Sequence, residues 1–178
     1  VTGQPTRGST GRISAWGCAP APAGHAPRRW WLPALRGGDH PRDCVAAGPP
    51  DSWNWTLAAD PGAPSAAREI AVGVLRQWGM TARADDVELV LSELVTNALR
   101  HGGAAAGGPG GAVQVRMLRH DDDLVCAVRD GSDLLPARRD PDFMLESGRG
   151  LHLVACFAAD WGVLPAAPAG KYVWALLR

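Results

Sequence analysis

Apolar and polar positions divide the chain into a leading region without period and a longer region of regular periods. Over residues 85–101, Val87, Val90, Leu91, Leu94, Val95 and Ala98 recur at the three-and-four spacing of one buried helical face, with no Gly or Pro inside. That spacing predicts a central amphipathic helix, stopped at Gly102 and Gly103, where a left-handed cap forms easily. A second helix is predicted over about 65–78, with Ser65 as N-cap, Ile70, Val74, Leu75 and Trp78 inward, and Gly79 as its stop. A third opens at Arg149 or Gly150, with Leu151, Val154, Ala155 and Ala158 inward. Period-two runs predict strands. Residues 51–58 carry Trp53, Trp55 and Leu57 on one buried face. Val113, Val115 and Met117 pair with Leu124, Cys126 and Val128 as a hairpin turning at 120–123, and 160–164 and 171–177 flank a turn at 165–170. Residues 104–111 read as a Gly/Ala loop, and 134–147, with Pro136, Pro141 and no period, as a loop of lid length.

The leading region differs in composition as well. Residues 1–50 hold eight Pro and eight Gly and lack the apolar core of a signal peptide, so they are read as a low-complexity, disordered tail, dispensable for folding, ahead of one domain over 51–178. Trp30 and Trp31, after Arg28 and Arg29, fit either a partner-binding patch or an incidental aromatic pair. No run approaches a membrane span, so no membrane partner is expected. The net charge is zero, yet residues 51–178 carry twelve basic against sixteen acidic side chains, a balance that argues against nucleic acid as the main partner. Four widely spaced cysteines show neither metal-ligand spacing nor a disulfide pattern, which suits a reduced, cytoplasmic compartment. Of the eighteen basic residues only Lys171 is a lysine, a bias read as GC-rich coding.

At about 100° per residue, Glu93, Asn97 and Arg100 share one flank of the central helix. A solvated face explains all three, but Asn is a mediocre helix former and its place at the border of a buried stripe asks for a reason. Two later stretches supply one: Asp130-Gly131 at a strand end, and Gly148-Arg149-Gly150 opening a helix. Mg²⁺ on a phosphate chain keeps several waters, so one amide oxygen such as that of Asn97 suffices. Glu93, a turn away, can accept a proton from an attacking hydroxyl or water. A carboxylate at Asp130 only accepts hydrogen bonds, which suits an exocyclic amine, and glycines at 148 and 150 let backbone amides approach an anion. Taken singly, Asp130 also fits a turn cap and the two glycines a plain loop-to-helix junction. A P-loop needs Gly-Lys-Ser/Thr, whereas Lys171 precedes Tyr172, and the third Rossmann glycine is replaced by Leu153.

Residues 93–101 (Glu-Leu-Val-Thr-Asn-Ala-Leu-Arg-His) resemble the N box of the GHKL, or histidine kinase-like, ATP-binding family. Asp130-Gly131-Ser132 resembles the start of its G1 box, Glu146 to Leu151 its G2 box, and Gly170-Lys171-Tyr172-Val173-Trp174 the closing strand of the short bacterial branch related to anti-sigma-factor serine kinases. The resemblance covers residues 51–178 and implies a two-layer α/β sandwich that binds ATP with Mg²⁺. By matching position it implies Glu93 as base, Asn97 as metal ligand, Asp130 with Gly131 on the adenine side, and Gly148, Arg149 and Gly150 at the phosphates. It further implies a protein kinase acting on Ser or Thr of an anti-anti-sigma-type protein, with a sigma factor as a further partner. The alternative is a regulatory module that binds ATP or a partner without turnover. Homodimerisation stays open. The chain departs from the usual Asp-x-Gly-x-Gly at Ser132 and Leu134. The histidines ahead of the domain, His25 and His40, lie in the Pro-rich tail, so a sensor histidine kinase is not expected.

Overall fold

A computed structural model describes residues 29–36, 51–101, 111–132 and 149–178. Among these, the chain runs α1 (Trp31–Arg36), β1 (Asp51–Ala58), α2 (Ala63–Trp78), a 3₁₀ turn (Thr81–Arg83), α3 (Ala84–His101), β2 (Ala112–His120), β3 (Asp123–Asp130), α4 (Arg149–Phe157), β4 (Asp160–Pro165) and β5 (Lys171–Leu177). The strands form one antiparallel sheet in the order β1-β2-β3-β5-β4. With α2, α3 and α4 packed on one face, this is the two-layer α/β sandwich expected from the sequence.

The period-3.6 stripe of α3 meets the sheet as its spacing requires: Val87, Val90, Leu91, Leu94, Val95 and Ala98 are all buried, against Val113, Val115, Met117, Leu124, Cys126 and Val128 of the hairpin. The hairpin turns in two residues between His120 and Asp123, with Asp121 at φ 53°. Gly79 closes α2 in the left-handed region at φ 70°, its amide and that of Met80 reaching back to Arg76 and Leu75.

Local details differ from the pattern. Helix α2 starts two residues before Ser65: Pro64 suits the first turn, and the Asp60 carboxylate accepts from the Gly62 amide at 2.7 Å. Its buried line is Ala63, Ala67, Ala71, Val74 and Leu75, whose small side chains allow close approach to α3, and this turns Ile70 outward. Strand β1 lies at the sheet edge and is covered only toward its end, so Leu57 is buried, Trp55 half-buried and Trp53 exposed. The glycine stop of α3, the Gly/Ala loop up to residue 110 and the lid-length loop 134–147 lie outside the described residues.

The far face of the sheet is covered too. Trp31, Ala34 and Leu35 of α1 pack on Leu118, Val125, Ala127, Leu164, Tyr172, Trp174 and Leu176, so the central strands are buried on both sides. The Trp31 ring lies 5.2 Å from that of Trp174, and the buried Arg116 donates to the Ala34 carbonyl at 3.0 Å. Disorder was expected over residues 1–50. For 29–36 that expectation is corrected, because one short helix with three inward residues repeats too few times to register as a period. Residues 1–28 and 37–50 lie outside the described residues.

Candidate functional site

Burial of the α3 stripe fixes the rotation of that helix, and with it the rim position of Glu93 and Asn97, one turn apart and half-buried. Helix α4 packs against α3 through Val154, fully buried, and Leu151. Its first turn comes up against α3. A Cβ placed on Gly150 would lie 2.6 Å from Glu93 Oε2 and 3.2 and 3.4 Å from the Asn97 amide nitrogen and oxygen. Glycine allows that approach without displacing the Glu93 carboxylate, and it leaves the first-turn amides of α4, which have no helical acceptor, beside a carboxylate and an amide. Asn97 Nδ2 is buried and donates to no partner among the described residues. A buried donor of this kind costs free energy until an acceptor such as a phosphate oxygen reaches it.

Gly150→Ala is expected to keep the fold with little change in stability, since the Glu93 carboxylate can swing aside, and to weaken nucleotide binding because the methyl crowds Asn97 and the first-turn amides of α4. Denaturant titration and calorimetry with ATP measure the two effects. An unchanged ATP affinity would mean that Gly150 does not border the nucleotide.

A second group forms at the end of β3. Asp130 stands opposite Lys171 in the β3–β5 register, and both side chains are buried. Lys171 Nζ donates to Asp130 Oδ1 at 2.7 Å and to the Ser132 carbonyl at 3.0 Å, while the Ser132 amide donates to the same Oδ1 at 2.9 Å. Gly170, at φ 86°, abuts the turn so closely that a Cβ there would lie 2.2 Å from the Asp130 carbonyl oxygen and 3.2 Å from the Gly131 Cα.

The residues expected at the site thus fall into two sets, Glu93 and Asn97 with Gly150, and Asp130 and Gly131 with Gly170 and Lys171. Arg149 supplies the first helical residue of α4, and Gly148 lies outside the described residues. Sequence reasoning missed Lys171 as a partner of Asp130. Its signal was its rarity, one lysine against seventeen arginines.

A family model described as the histidine kinase-like ATPase domain matches residues 57–176. The chain belongs to this family. A search of curated proteins returned no match. The matched span runs from the end of β1 to the end of β5 and contains both groups of site residues, whereas α1 lies outside it. Histidine kinase-like ATPase domains bind ATP, and the donor set suits that ligand with Mg²⁺. It offers amide and carboxylate oxygens, the free Asn97 Nδ2 and a glycine-lined helix start, and no cluster of three His, Cys, Asp or Glu occurs among the described residues. The cysteines offer no competing chemistry within β3, where burial pushes the Cys126 thiol up to about 12 and so keeps it from acting as a nucleophile. No helix among the described residues is long and apolar enough to cross a membrane.

Proposed function

We propose that this protein is a regulatory protein kinase of the anti-sigma-factor type, which binds ATP with Mg²⁺ and transfers phosphate to a serine or threonine of an anti-anti-sigma-type partner in the cytoplasm. The observation that carries this reading is the placement of the Glu93 carboxylate against Gly150 at the start of α4, one turn from Asn97. A carboxylate is not needed to hold a nucleotide there, since it repels phosphates. It has a use where a hydroxyl must lose a proton.

In this reading the α4 amides and the Asn97 Nδ2 receive the phosphate chain, and Asn97 Oδ1 holds the metal. Mg²⁺, when bound, neutralises the charge of the transferring phosphoryl group. Glu93 Oε2 takes the proton of the attacking hydroxyl, and Asp130 accepts from the exocyclic amine of adenine. Positioning and charge carry such a transfer, with little covalent chemistry left to the protein. A sigma factor held by the same domain belongs to this reading too.

A second reading, a module that binds ATP or a partner without turnover, is favoured by Ser132 and Leu134 standing where the family's turn usually has glycines. Incubation with radiolabelled ATP and candidate anti-anti-sigma-type proteins separates the two. Label on a serine or threonine of the partner is the expected result. ATP bound in calorimetry with no label transferred to any partner would give the case to the second reading, and no ATP bound at millimolar nucleotide would defeat the kinase and leave only a module that holds a partner.

A further inference from the structure

We propose that Lys171 is a positioning residue of the nucleotide site, fixing the Asp130 carboxylate so that its Oδ2 faces the exocyclic amine of adenine; this rests on the assignment of Asp130 to the base.

Stability alone is a weak reason for the pair. A buried ion pair gains little over apolar residues of the same volume, because both charges must be taken out of water. What the pair does supply is geometry. Oδ1 accepts from both Lys171 Nζ and the Ser132 amide, so rotation of the carboxylate about its Cβ–Cγ bond is held. The same ammonium also donates to the Ser132 carbonyl and closes the turn Asp130-Gly131-Ser132 from its far side. Lysine suits this place better than arginine, since a compact ammonium with rotatable donors can bridge two nearby acceptors, whereas a planar fork demands its own alignment. In a chain with one lysine among eighteen basic residues, that lysine is the one buried against the turn. Gly170 sets its reach: with φ 86° and no room for a Cβ against the Asp130 carbonyl, the start of β5 is held at one distance from the turn.

At the described end of this turn stands Ser132, whose amide and carbonyl both join the clamp that aims the carboxylate. A carboxylate only accepts hydrogen bonds, so an aimed Oδ2 distinguishes a base carrying an amine from one lacking it.

The test compares calorimetric affinities for ATP and for purine riboside triphosphate, which is ATP without the 6-amino group. Wild-type protein is expected to prefer ATP by about tenfold or more, the worth of a hydrogen bond to a charged acceptor. Lys171→Met should bring that ratio near one by weakening ATP alone, with the amine-free nucleotide changed by less than about twofold. Lys171→Arg, which keeps the charge but not the geometry, should retain part of the preference, with a ratio reduced by at least about threefold. If Lys171→Met does not give a folded circular dichroism spectrum, Lys171→Arg decides. Equal weakening of both nucleotides, or an unchanged ratio in the folded variants, would make Lys171 merely structural and overturn the proposal. Wild-type protein that binds the two nucleotides equally would remove Asp130 from the base, and the proposal with it, a result distinct from equal loss in the variants.

Discussion

Glu93→Gln is expected to lower phosphotransfer by about 10²- to 10⁴-fold, the usual contribution of a positioned general base, while leaving ATP affinity nearly intact. The substitution is chosen for its shape. Glutamine fills the same volume beside Gly150 and removes only the charge and the proton-accepting capacity. Asn97→Ala, one turn along the same helix, should behave differently, impairing both nucleotide binding and transfer, because it removes the oxygen proposed to hold the metal and the buried Nδ2 together. Both positions lie at the rim of the buried stripe, so neither change should unfold the domain. Calorimetry and single-turnover transfer, measured on the same preparations, separate the two roles. Equal transfer by wild type and Glu93→Gln would remove Glu93 as the base.

Trp31→Ala should cost about 3–5 kcal/mol of stability, as large-to-small changes of a buried aromatic do. Trp31 is fully buried, its ring tilted against that of Trp174 on the far face of the sheet. Against a typical total of about 5–15 kcal/mol, such a loss is large. A chain starting at Asp51 would go further, baring Leu118, Val125, Leu164, Tyr172, Trp174 and Leu176 as one apolar surface. It should melt earlier and bind the dye ANS, which full-length protein should not. A urea midpoint unchanged by Trp31→Ala would show that α1 contributes nothing to the fold.

Periodicity determined much of this protein before any contact was known. The six buried positions of α3, the hairpin turning between His120 and Asp123, the closing strands and the opening of α4 at Arg149 are set by residues near one another in sequence, and the side chains of one helix face or one strand face carry that information locally. Glu93, Asn97 and Asp130 stood out as candidates for a related reason: each is a polar residue beside a buried stripe or at a strand end, where packing alone does not call for it. Tertiary structure decided what those residues meet. That Gly150 lies against Glu93 and Asn97 follows from the approach of α4 to α3, which no spacing reveals. The partner of Asp130 is 41 residues away and is chosen by the register of β3 on β5. The outer cover of the sheet comes from a six-residue helix in a Pro- and Gly-rich stretch, too short to show a period and stable only because an apolar sheet face receives it.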